Sequence, residues 1–78
     1  MEIFPSMKAR KLLSVLLRKP LLYRITRQVG SHRKLESPNY RTIRYSHHDA
    51  QELSGIQVRK VLVNDVGLTY LCALEVLQ

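Results

Sequence analysis

The chain has 78 residues, of which 45% are hydrophobic and 24% charged, and its formal net charge is +7. This length supports one domain over residues 1–78, and the composition excludes a collagen-like or disordered chain. The most apolar run, Leu12 to Leu17, is far shorter than the roughly 20 residues that span a bilayer, so we expect no membrane segment. Cys72 is the single cysteine, which excludes an intramolecular disulfide and favours a reducing compartment, the cytoplasm.

Residues 6–18 have the pattern of an amphipathic helix. Ser6 is a suitable N-cap, Pro20 ends the helix, and leucines recur three or four positions apart between them. A basic amphipathic helix can also lie on a membrane surface, but leucine stripes at helical spacing are far more often part of a core. We therefore interpret this stripe as core.

Three runs of alternating residues predict an antiparallel sheet. They cover residues 22–29, 31–36 and 41–46, with Gly30 at the first junction and a polar turn, Ser37-Pro38-Asn39, before the third run. Alternation predicts which side chains share a face. The expected sets are Tyr23, Ile25 and Val29 in the first strand, His32 and Lys34 opposite Arg33 and Leu35 in the second, and Ile43 and Tyr45 opposite Arg44 in the third.

The C-terminal part of the chain predicts one helix and a further short one. Ser54 can cap a helix over residues 55–65, Gly67 suits the left-handed position after it, and Thr69 can cap the short helix. Strands grouped between helices predict an α+β two-layer domain, with both helices on one face of the sheet. The other face stays open to a ligand.

The positive charge is concentrated in the first half of the chain. Nine Lys and Arg against one acid give residues 1–35 a charge of +8, whereas four bases against five acids give residues 36–78 a charge of −1. Such a field attracts polyanions, and nucleic-acid phosphates are the most common polyanion in a cell. The alternatives are a solvated basic surface, or one that docks an acidic protein partner.

Histidine is the residue type suited to proton transfer at neutral pH. His32 has the most suggestive setting, because Arg27, Arg33 and Lys34 lie near it in sequence and Gly30 allows a close backbone approach. A structural or merely exposed strand histidine is the more common alternative on these observations alone.

Other chemistries have less support in the sequence. Adjacent His47 and His48 lack the spacing of structural zinc ligands, and nothing near Cys72 completes such a set, so we expect no metal and no cofactor. Ser31 and His32 are neighbours in a strand and point to opposite faces, which excludes a nucleophile–base pair.

Several stretches of the chain resemble the HicA toxins, the YcfA-like messenger-RNA interferases of bacterial toxin–antitoxin pairs. The matching stretches are Tyr-Arg-Ile-Thr-Arg-Gln-Val-Gly-Ser-His-Arg (23–33), His48 before Leu53, Leu-Ser-Gly-Ile-Gln-Val-Arg-Lys-Val-Leu (53–62) and Val-Gly-Leu (66–68). The resemblance covers about residues 7–68. It implies an α-β-β-β-α fold like that of a double-stranded-RNA-binding domain, and an HicB-type antitoxin as protein partner.

The resemblance also implies that His32 matches the essential histidine of the family's Gly-Ser-His motif. We expect His32 to act as acid or base in metal-independent RNA cleavage, with Arg27, Arg33 and Lys34 on phosphates. His48 is a candidate for a second proton-transfer group, or else a loop residue that hydrogen-bonds the start of the second helix. The alternatives to a toxin nuclease are a non-catalytic RNA-binding module of the same fold and a protein-interaction adaptor.

The chain departs from the family pattern at three places. Leu22 stands where Gly is often found, Val29 where a basic residue is common, and Gly55-Ile56 where Pro-Gly is more usual. These departures leave a weakened or inactive toxin as a further alternative.

Overall fold

The structure is a computed structural model that describes residues 4–78. Its elements in chain order are β1 (Met7–Lys8), α1 (Ala9–Leu17), β2 (Arg24–Val29), β3 (His32–Glu36), β4 (Ile43–Tyr45), β5 (Glu52–Leu53), α2 (Gly55–Arg59), a π-helical segment (Lys60–Asp65) and α3 (Tyr70–Val76). Strands β2, β3 and β4 form an antiparallel sheet in that order, and β1 pairs with β5 in a separate two-stranded ribbon. The predicted α+β fold with a three-stranded antiparallel sheet is therefore confirmed, whereas the β1–β5 ribbon was not predicted.

The first helix begins at Ala9, later than predicted, and Ser6 is not its N-cap. The residue before the helix makes no side-chain cap hydrogen bond. Instead, the amides of Ala9 and Arg10 donate to the carbonyls of Gln51 (2.8 Å) and Asp49 (3.1 Å). The β1–β5 ribbon holds the chain extended up to this point, and loop carbonyls satisfy the first N–H groups that a cap would otherwise satisfy.

The second helix covers the predicted residues 55–65, although its hydrogen bonding changes along its length. Ser54 caps it as predicted: its hydroxyl accepts from the amide of Gln57, whose side-chain oxygen accepts from the amide of Ser54. After Arg59 the α-helix continues as the π-helical segment. Gly67 follows with a φ of +93°, the predicted left-handed position.

The short terminal helix is confirmed as α3. Thr69 is its N-cap, and the Thr69 hydroxyl accepts from the amide of Cys72. At the opposite end, a guanidinium nitrogen of Arg18 donates to the carbonyls of Val76 and Gln78, both at 3.0 Å. Within residues 4–78, no helix is long and apolar enough to cross a bilayer.

One hydrophobic cluster packs the helices against a single face of the three-stranded sheet, which we call the covered face. The sheet contributes Leu35, Ile43 and Tyr45, and α1 contributes five of the opposing side chains. The Tyr45 hydroxyl donates to the carbonyl of Ala9 at 2.7 Å, and burial raises the pKa of Tyr45. Burial also raises the pKa of Tyr23 to about 12.

Two positions at which the sequence differs from the HicA pattern have distinctive backbone surroundings. Leu22 has a φ of +54°, in the left-handed region that favours glycine. Gly55 lies beneath the backbone of Phe4, where an added Cβ would overlap the Phe4 carbonyl oxygen. The chain thus has a strained non-glycine residue before β2 and an obligatory glycine at the start of α2.

Candidate nucleic-acid interface

His32 is the first residue of β3 and directly follows a two-residue turn. Gly30 and Ser31 form this turn, and Val29 and His32 are paired across it. Gly30 has a φ of +61° and Ser31 does not have a positive φ, as in a type II′ hairpin turn. No atom lies within 4 Å of the position that a Cβ on Gly30 would take, so lack of space does not explain the glycine. The positive φ of the turn is the reason that glycine is favoured here. The Gly-Ser-His run is therefore a turn that places a histidine at the end of the sheet.

The predicted alternation is confirmed for β3. Leu35 is fully buried in the core, whereas His32 and Lys34 are exposed on the opposite face of the sheet, which we call the open face. In β4, Ile43 and Tyr45 are buried and Arg44 is exposed, as predicted.

The predicted alternation is wrong for β2, because this strand contains a β-bulge. The register shifts between Ile25 and Arg27, so that Thr26 is an extra residue opposite Lys34. An extra residue reverses the faces of everything after it. Val29, predicted to share a face with Ile25, instead pairs with His32 on the open face and is 63% exposed.

Three cations lie side by side across the open face, one from each strand. Arg27 is the partner of Lys34, and Lys34 is the partner of Arg44. We call these three residues the cation row. Like charges directly opposite each other destabilise a sheet, so the cation row does not stabilise the fold.

The cation row has little compensation from acidic groups. The Lys34 ammonium lies 3.9 Å from the Glu36 carboxylate, and both side chains are nearly half exposed, which makes this a weak, screened pair. Within residues 4–78, no carboxylate lies within 4.0 Å of the guanidinium of Arg27 or Arg44. The open face therefore attracts anions.

His32 and the cation row line an open pocket of about 350 Å³. This volume is at the lower end of the range of small-ligand sites. His32 is the one lining residue of a type suited to proton transfer at neutral pH. The remaining lining residues are Val29, Arg33, Tyr45 and Ser46.

Arg33 differs from the other predicted phosphate-binding residues, because it projects from the covered side of β3. Its guanidinium donates to Asp49 at 2.9 Å, and its side chain is only 10% exposed. Its Nε and Nη1 atoms are buried without a hydrogen-bond partner among residues 4–78. The Arg33 guanidinium is thus bound to the loop before β5. The cation beside Lys34 on β4 is Arg44, which was not singled out from the sequence.

The structure does not bring His48 to the pocket. His48 is exposed in the loop after β4, and its backbone carbonyl accepts from the amide of Gln51 at 2.9 Å. The neighbouring His47 ring packs edge-on against Tyr45, with ring centres 5.2 Å apart. Across the part of the chain that the structure describes, no three His, Cys, Asp or Glu side chains are grouped closely enough to hold a metal ion.

Comparison with known proteins returns no relative. No family model, no curated protein and no solved structure matches the chain. The interpretation of the open face therefore depends on its own residues.

Proposed function

We propose that the chain is an endoribonuclease of the HicA type, an mRNA interferase in which His32 transfers protons during cleavage. The observation that carries this proposal is the position of His32: it lies on the open face, in the same pocket as the cation row. The resemblance of residues 23–33 to the family's Gly-Ser-His region supports it. The order α1, β2, β3, β4, α2 is also that of the α-β-β-β-α fold that the resemblance implies.

The reaction uses the nucleophile that RNA itself carries. The 2′-oxygen attacks the adjacent phosphorus, an O2′–P bond forms and the P–O5′ bond breaks, which leaves a 2′,3′-cyclic phosphate and a 5′-hydroxyl. A base takes the 2′-hydroxyl proton and an acid protonates the departing O5′. His32 performs one of these transfers, a role worth roughly 10²–10⁴-fold in rate. Lys34 and Arg27 offset the negative charge that develops on the phosphorane.

The biological setting is also part of the proposal. An HicB-type antitoxin covers the open face and supplies carboxylates to the cation row, which keeps the nuclease inactive until the partner is removed. The mRNA substrate places the protein in the cytoplasm, in keeping with its single cysteine.

The test is an RNA-cleavage assay with the parent chain, His32→Ala and His48→Ala, each purified away from any antitoxin. We expect the parent to cleave in the presence of a chelator, to leave cyclic-phosphate ends and to spare RNA with a 2′-deoxy sugar at the cleaved position. His32→Ala should lower the rate at least 100-fold without weakening RNA binding, and His48→Ala should retain cleavage. Intact RNA that parent and His32→Ala bind equally would contradict the proposal.

One observation favours a second candidate function. The pocket contains His32 and no other residue type suited to proton transfer at neutral pH, although general acid–base cleavage needs two transfers. A binding module of the same fold would hold RNA on the open face without turnover. Saturable, salt-sensitive binding that yields no cleavage products identifies that case.

A further inference from the structure

We infer that the cation row holds consecutive phosphates of one unpaired RNA strand that crosses the sheet from β2 to β4, and that Arg44 is a substrate-binding residue of this site. The inference rests on the proposed function and adds the path and the strandedness of the substrate. It also assigns a role to Arg44, which neither the charge distribution nor the resemblance indicated.

The spacing of the cation row suits a polyanion. Neighbouring strands in a sheet lie about 4.8 Å apart, so the backbones of Arg27 and Arg44 are separated by about 10 Å. Long, exposed side chains on the three residues reach at least two successive phosphates over that distance. A solitary phosphate would need one or two of these cations, whereas a strand that crosses the sheet uses all three.

The neighbouring cross-strand pairs indicate the direction of the strand. On one side of the cation row, Arg24 faces Glu36, so a polyanion that followed β3 in this direction would meet a carboxylate. On the other side, Val29 faces His32 and contributes no fixed charge. The path across the strands meets three cations in succession, because Arg44 extends the row onto β4, and Glu36 approaches only the middle one of them.

This path places the reacting phosphate beside the histidine. His32 and Lys34 are alternate residues of β3 on the same face, so their backbones are about 7 Å apart. The phosphate held by Lys34 is then within reach of the imidazole. The pocket of about 350 Å³ next to it receives a single nucleotide. A nucleotide held in an A-form duplex cannot enter such a pocket, which is why the substrate is an unpaired strand.

The experiment measures how RNA binding depends on salt, in a His32→Ala background that keeps the RNA intact. The probe is an unpaired RNA oligomer, with the same oligomer annealed to its complement for comparison. Each phosphate contact on a single strand contributes about 0.7 to the slope of log K against log salt. We expect Arg44→Gln to reduce the magnitude of this negative slope by about 0.7 and to weaken RNA affinity several-fold. Arg44→Lys, which keeps the charge, should retain the slope.

Arg24→Gln is the matched control, because it removes the same charge from the same face at a position opposite Glu36. We expect it to change the slope by less than half as much. An unchanged slope in Arg44→Gln, or an equal loss in both variants, would overturn the proposed path even if cleavage depends on His32. Equal binding of the duplex would overturn the unpaired substrate. Cleavage that survives His32→Ala would instead contradict the proposed catalysis and leave the path supported.

Discussion

The two faces of the three-stranded sheet use arginine in opposite ways. On the covered side, Arg33 is nine-tenths buried and donates to Asp49 at 2.9 Å. On the open face, Arg27 and Arg44 flank Lys34. Arg33 and Lys34 are adjacent in the chain and both line the pocket, but their neighbours in the sheet leave the Lys34 side chain exposed and hold the Arg33 guanidinium against Asp49. A basic sequence motif therefore overstates the number of exposed cations.

The largest contrast between the faces concerns stability, at two adjacent residues of β3. Leu35→Ala should lower the free energy of unfolding by about 2–5 kcal/mol, because Leu35 is fully buried in the core. Lys34→Ala, on the open face, should change it by less than about 0.5 kcal/mol while weakening RNA binding. Urea denaturation measures both. A Lys34→Ala loss as large as that of Leu35→Ala would show that the open face is not a free surface.

The covered face also predicts a loss of stability at alkaline pH. Folding raises the pKa of Tyr23 from its ordinary value of 10 to about 12, so only the unfolded chain releases this proton between those pH values. The stabilisation is complete below pH 10 and decreases by about 1.4 kcal/mol per pH unit as the pH rises toward 12. Tyr23→Phe should lose less stability than the parent over this interval in urea denaturation series. Equal losses of unfolding free energy in the parent and in Tyr23→Phe would contradict the raised pKa of Tyr23.

The ion pairs of the two faces should respond differently to the removal of their acids. Asp49→Asn leaves the buried Arg33 guanidinium without its counter-charge and should cost about 1–3 kcal/mol of unfolding free energy. Arg33→Met leaves only a half-exposed carboxylate and should cost less. On the open face, Glu36→Gln should change stability by less than about 0.5 kcal/mol. Thermal or urea unfolding ranks the three variants by their loss of stability. A loss in Glu36→Gln equal to that in Asp49→Asn would contradict the difference between the ion pairs of the two faces.

The smallest expected effect is a gain on the open face. Val29→Lys adds a cation opposite His32, where the side chain of Val29 is 63% exposed. RNA affinity should rise several-fold at low salt, the salt slope should steepen by about 0.7, and stability should stay within about 0.5 kcal/mol. Salt-dependent binding titrations check this. The isosteric Val29→Thr is the control and should leave the slope unchanged.

The sequence predicted those parts of the fold that depend on local chemistry. The cap residues Ser54 and Thr69, the left-handed Gly67 and the alternation of β3 and β4 all follow from side chains acting on their own neighbourhood. Ser6 failed as a cap because backbone carbonyls from a loop about 40 residues away satisfy the amides at the start of α1. A tertiary contact of that kind has no local signature.

The exposure of two candidate site residues was predictable from the sequence, and that of a third was not. His32 and Lys34 have the exposure that the alternation of β3 predicted, whereas Arg27, which alternation places on the face of Ile25, reaches the open face only through the bulge at Thr26. Period two cannot reveal such an insertion, because Thr26 continues the pattern of alternating polarity. The position of Arg44 beside Lys34 depended on the register of β4 against β3, which no residue pattern in either strand specifies.

The β1–β5 ribbon has a consequence for the order in which the chain folds. The strands that carry the cation row are consecutive in sequence and joined by short turns, whereas the ribbon joins segments about 45 residues apart. Contacts between distant segments cost more chain entropy and form later. We therefore expect the sheet to assemble first and the ribbon to close last, so that the start of α1 is fixed only after the open face exists. Amide hydrogen exchange should then be faster at Ala9 and Arg10 than in β3.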